Sequence, residues 1–159
     1  MNQDDKRALD ECGLEIEQIY KWINSNQLDS NVRYLVAYAV VKTSGTIEIV
    51  FKRMIYDFLS ESAKREAKDF LVSTVIDSSC NPNTGNMNNI IQKFDGHRAD
   101  RFSQLVKGTD DKVELNSLVQ LRNDVAHGRT ISSSINTIKK YYESGRRVLE
   151  TLDSVLYTP

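Results

Sequence analysis

Helix-breaking residues are scarce in this chain: two prolines and seven glycines are spread over 159 positions. Proline removes a backbone donor and glycine disfavours helical order, so their scarcity leaves long stretches free to coil. Cysteine is scarce too. Cys12 and Cys80 stand far apart, with no cysteine or histidine at ligand spacing beside them. That argues against a zinc site or a disulfide framework and fits a reducing, cytoplasmic setting. Neither sign of charge dominates. A formal net charge of −1 argues against a surface coated in basic residues, although it permits a local basic face. No apolar run is long: YLVAYAVV at 34–41 is too short to span a bilayer, and the opening MNQDDKRALDECG lacks the charged-then-apolar build of a signal peptide. No membrane association is expected.

Hydrophobic residues make up 40% of the chain and charged residues 27%, an ordinary balance for a globular protein. The length suits one domain, 1–159, around one core. Apolar residues recur at spacings of three and four rather than alternating, which predicts an all-α fold. The pattern places a first helix within 4–24 and a long second helix from about Asp29 or Ser30 to Ser60. Ser44 and Gly45 in that helix would let a neighbour approach closely. A third helix is expected over 62–78, a break at CNPNTGN (80–86), and short helices over 87–95 and 98–106. Helices over 112–127 and 132–157 close the chain, the last capped by Ser132, Ser133 or Ser134. The C-terminal third is locally basic: Arg122, Arg129, Lys139, Lys140, Arg146 and Arg147 stand against Asp124 and Glu143. A solvated helix face is the simple reading of Lys139 and Lys140.

The segment LVQLRNDVAHGRT at 118–130 breaks its own pattern. At about 100° per residue, Leu115, Leu118, Val119, Leu121, Val125 and Ala126 form one apolar arc, and Arg122 falls inside it. Asn116, Asn123 and His127 line the adjoining strip. A guanidinium cannot shed its charge, so Arg122 requires an acceptor. Three are open: a carboxylate, for which Glu48 in the second helix is the candidate; backbone carbonyls at a helix end; or a phosphate. Glu48 also has Lys52 four residues on, in the favourable order for a pair of their own. Gly128 suits the left-handed position that ends a helix, which puts His127, one of only two histidines, on the last turn. There it can act as a C-terminal cap or as an acid–base group.

RNDVAHG resembles the signature of the HEPN (higher eukaryotes and prokaryotes nucleotide-binding) superfamily, in which an arginine followed by a polar residue precedes a histidine by a short spacer. Arg122, Asn123 and His127 match it, and the likeness is closest to stand-alone ribonuclease-like groups such as the RiboL-PSP type. The resemblance implies a helical bundle with a long second helix and a long C-terminal helix. It implies a metal-independent endoribonuclease without cofactor, working as a homodimer whose two motifs share one cleft. Arg122 would stabilise phosphate charge, His127 would move protons, and Asn123 would orient His127 or the phosphate. Arg129, Lys139 and Lys140 would hold the RNA backbone, with Glu48 as structural support. Expected partners are RNA, a second copy of the chain, and an antitoxin or other defence-system protein in a toxin or phage-defence setting. One departure stands out: HEPN toxins paired with small nucleotidyltransferases usually carry a tyrosine two residues after the histidine, where this chain has Arg129.

Two other readings compete with catalysis. In one, the same basic cleft binds RNA or a nucleotide without cutting. In the other, Arg122 is sealed against Glu48, His127 is only a cap, and the chain is a helical interaction protein. No Gly-rich phosphate loop, HExxH or GxSxG motif offers a different chemistry.

Overall fold

The structure, a computed structural model, describes residues 1–158. Among the described residues it is all helix and has no strand: α1 (Gln3–Ser25), α2 (Val32–Ser60), α3 (Arg65–Leu71), α4 (Thr84–Gln92), α5 (Gly96–Val106), α6 (Asp110–Ala126) and α7 (Ile135–Tyr157). Side-chain caps start most of them. Asn2, Asn83, Asp95, Thr109 and Ser134 each accept from the backbone N–H three residues on, and each such cap stabilises its helix by about 1 kcal/mol.

The expected helices are present with shifted ends. The second begins at Val32, because Asp29 spends its carboxylate on a tight turn, accepting from Asn31 N at 2.7 Å. The third is shorter than 62–78: after Leu71 the chain widens into a π-turn over Val72–Ile76. Ser73 and Thr74 hydroxyls both donate to the Phe70 carbonyl, in competition with the backbone donors that would extend an α-helix.

α2 is the central element. It is long and apolar enough to cross a membrane by length and composition, but Ala39, Val40, Ile47, Val50, Phe51 and Ile55 are wholly buried where it packs on α1, α6 and α7. Filling such positions with branched or aromatic side chains stabilises the fold by about 1.5–3 kcal/mol each. The close approach expected at Gly45 occurs elsewhere: a Cβ on Gly45 would meet nothing, whereas one on Gly145 of α7 would run into Ile47 Cδ1 and lie 3.3 Å from Leu115 Cδ1. Gly145 is what lets α2, α6 and α7 close together. Tyr142 Oη donates to the Leu9 carbonyl at 2.6 Å inside the core, fixing α7 on α1. The same packing sets the C-terminal end of α6 beside the first turns of α2.

Candidate active site

The last turns of α6 carry the RNDVAHG segment. Helix α6 ends at Ala126, His127 takes the C-cap, and Gly128 adopts φ +70°, the left-handed conformation that glycine enters without strain. Gly128 N donates to the Val125 carbonyl and Arg129 N to the Asp124 carbonyl, the paired bonds of a Schellman turn. That turn directs His127 into solvent. Its imidazole makes no hydrogen bond to any described residue, and Ala126, placed on the apolar arc by spacing, is exposed as well because the core has ended.

Arg122 is half-buried, and its acceptor is not the one expected. Nη1 donates to Asn81 Oδ1 at 3.2 Å and to Asn123 Oδ1 at 3.3 Å. Glu48 instead pairs with Lys52, Oε1 to Nζ at 2.7 Å, because its neighbour one turn on reaches it first. Glu48 still reaches the site at one remove. It accepts from Cys80 N at 3.3 Å while Lys52 Nζ donates to the Ser78 carbonyl, so the pair clips the 78–81 segment onto α2 and presents Asn81 to Arg122. Asn116 holds the far side of this segment by accepting from Thr84 N at 3.0 Å.

Arg122 therefore faces two amide oxygens and, among the described residues, no carboxylate. Amide oxygens satisfy its donors without neutralising its charge, and bonds of 3.2–3.3 Å are longer than the charge-assisted bonds a phosphate would make. The Asn123 side chain, expected to orient His127 or the phosphate, bonds to Arg122. Asn123 also joins the strip of His127, and its carbonyl accepts from His127 N at 3.0 Å.

The remaining basic residues divide. Arg129 stays at the motif, exposed, with Nη1 2.9 Å from Asp124 Oδ1. Lys139 and Lys140 do not join it. Lys139 bridges to Glu17 of α1 at 2.5 Å and lies 4.0 Å from the centre of the Tyr20 ring; Lys140 bridges to Glu114 at 2.5 Å. Glu114 lies toward the other end of α6, roughly 20 Å from His127 at 1.5 Å rise per residue. Both lysines answer carboxylates on the helices that α7 packs against. No group of three or more His, Cys, Asp or Glu side chains able to hold a metal ion occurs among the described residues.

Asn81 is the site residue that sequence reading missed. It stands 41 positions from Arg122 within a stretch whose composition signals only a turn. Arg33, and Tyr34, which spacing reads only as a helical core or boundary position, are also brought beside Gly128 and Arg129 by how α2 packs.

No curated protein and no solved structure matches the chain. The family model for RiboL-PSP-HEPN matches residues 7–158, nearly the whole of it. HEPN domains commonly bind RNA and dimerise, and membership suggests a nuclease or RNA-binding function. With its all-α bundle and its motif at the end of α6, the chain belongs to the RiboL-PSP-HEPN family.

Proposed function

We propose that this protein is a metal-independent endoribonuclease that cleaves RNA by 2′-hydroxyl transesterification at a site shared by two copies of the chain. The observation that carries the reading is Arg122: a half-buried guanidinium held, among the described residues, by neutral oxygens alone, on the same helix end as an exposed histidine whose side chain bonds to none of them. A fixed cation with an uncompensated charge is suited to phosphate, and to the extra charge on phosphorus in the transition state.

Cleavage requires two proton transfers. A neutral imidazole takes the 2′-hydroxyl proton as the 2′-oxygen attacks phosphorus, and an imidazolium protonates the departing 5′-oxygen. The products are a 2′,3′-cyclic phosphate and a 5′-hydroxyl. Each motif holds one histidine, so a two-fold pair supplies both roles and two arginines. The outer face of α2 fits such pairing. Tyr38, Val41 and Ile49 expose large apolar surface along one stripe, and Gly45 between them faces open space. DNA lacks the attacking hydroxyl and would resist. Free Cys12 and Cys80 suit a cytoplasmic setting, and the family relationship supports a toxin or phage-defence role under an antitoxin or other defence-system partner.

The test is sedimentation of the purified chain, followed by end-group analysis of RNA it has cut. A dimer leaving cyclic phosphate ends is expected. A monomer that cuts, or 3′-hydroxyl ends, would contradict the shared-site mechanism. A dimer that binds RNA and never cuts it would make the chain a binding module.

A further inference from the structure

A cavity of about 330 Å³ opens beside the motif, where the start of α2 meets the turn that follows α6. Arg33, Tyr34, Gly128, Arg129 and Thr130 line it, over an apolar floor that includes Val125. No carboxylate is among its lining residues. The larger cavities over α1 differ: Asp4, Asp5, Glu11 and Asp57 line one, and Asp10, Glu17 and Glu143 the other. Arg7 and Arg53 in the first and Lys139 and Arg146 in the second stand among more carboxylates than cations, whereas this cavity sets two guanidinium groups on its lining with no carboxylate beside them.

Tyr34 is 59% exposed, so its side chain is accessible from the cavity. Arg33 lies above it, the guanidinium carbon 4.6 Å from the ring centroid, and Nη2 donates to Tyr34 Oη at 2.7 Å. Arg33 forms no ion pair among the described residues, so its charge is free to meet a phosphate. Arg129, brought to the cavity by the turn after α6, is steadied by Asp124 with its side chain still largely exposed. Gly128 forms the wall nearest His127.

We infer that this cavity is a subsite for one unstacked nucleotide of single-stranded RNA, the nucleotide flanking the bond cut at His127. The base stacks on Tyr34, and its phosphates lie between Arg33 and Arg129. The inference rests on the RNA-directed reading above and deepens it. A duplex keeps its bases stacked on one another and cannot offer one to Tyr34, so the subsite selects single strands and loops. The small volume admits one base and no run of them.

The test uses full-length protein in the His127→Ala background and a fluorescent single-stranded oligoribonucleotide. Tyr34→Ala should weaken binding roughly ten-fold or more, while Tyr34→Phe, which keeps the ring, should bind nearly as wild type. Arg33→Ala should weaken binding and lower the salt slope by roughly 0.7, the share of one phosphate contact on a single strand. Arg7→Ala, on the outer face of α1, serves as the control. Unchanged binding by Tyr34→Ala and Arg33→Ala would overturn the subsite, as would loss of the dimer in Tyr34→Ala, which would make Tyr34 an interface residue. Tyr34-dependent binding by a wild type that never cuts RNA would keep the subsite and remove the nuclease. Cutting that ignores Tyr34 and Arg33 would do the reverse, and a chain that binds no RNA would end both.

Discussion

The two ends of α6 differ in how they treat the charges that face into the bundle. At the first turns, Asp111 receives Arg147 at 2.7 Å, and buried Glu114 receives Lys140 at 2.5 Å and the Ser144 hydroxyl at 2.7 Å. These contacts hold the Glu114 and Asp111 carboxyls below the usual range, against the burial that would raise them. At the last turns, Arg122 has only amide oxygens, and the His127 side chain bonds to nothing described. A charge answered within the chain helps assemble the bundle; a charge left unanswered at moderate burial waits for a ligand.

Deleting His127, the group proposed to move protons, should have the largest effect. His127→Ala should lower RNA cleavage by about 10²–10⁴-fold while RNA binding survives, as measured in single-turnover assays beside filter binding.

Asn81→Asp should come next, because it makes the open end resemble the closed one. A carboxylate at Asn81 Oδ1 would neutralise Arg122, so RNA affinity and cleavage should fall about ten-fold or more with thermal stability retained or raised. Asn81→Ala should be milder, since it frees Arg122 without cancelling its charge. If Asn81→Asp binds RNA as wild type does, Arg122 is not the phosphate ligand.

Glu114→Ala attacks the closed end. It removes a charge-assisted bond to buried Ser144 and should cost about 2–3 kcal/mol in denaturant unfolding, with cleavage per folded molecule unchanged. Because the Glu114 and Asp111 carboxyls are held low, their contribution is present above the ordinary carboxylate range. It is lost as pH falls through their lowered values.

Asp5 should show the opposite sign. Burial first and the Asp57 charge second push its carboxyl up to about 6, and Arg53 at 4.0 Å offsets only part of that. The folded state favours neutral Asp5, so this contribution is full below about pH 4 and is lost as pH rises through 6. Asp5→Asn should flatten that slope and add about 1–2 kcal/mol at neutral pH in urea titrations at several pH values.

Lys139→Ala should be the smallest change. The bridge to Glu17 is screened by solvent, so urea unfolding should barely shift and RNA affinity should not move.

Local order was legible in the sequence because it rests on neighbours a few positions apart. The helical spacing, the serine cap of α7 within 132–134 and the glycine that ends α6 are all of this kind. The pairing of Glu48 with Lys52 was legible as well, as the simpler of two readings. Long-range matches were not. Nothing local to CNPNT says that Asn81 meets a guanidinium, and nothing in the apolar run of α2 says that Arg33 and Tyr34 arrive beside Gly128. Those contacts follow from how α2 and α6 cross, which the closeness of Gly145, Ile47 and Leu115 sets. The π-turn after Leu71 was hidden because hydroxyl competition for one carbonyl leaves no trace in spacing.

The most direct test of the central claim is incubation of the purified protein with single-stranded RNA in EDTA, beside an Arg122→Ala variant that is folded and in the same oligomeric state. The account predicts that wild type cuts with metal removed and that Arg122→Ala is slower by at least about 10²-fold, the order seen when a transition-state charge partner is lost. Cleavage that EDTA abolishes, or that Arg122→Ala leaves intact, would contradict it.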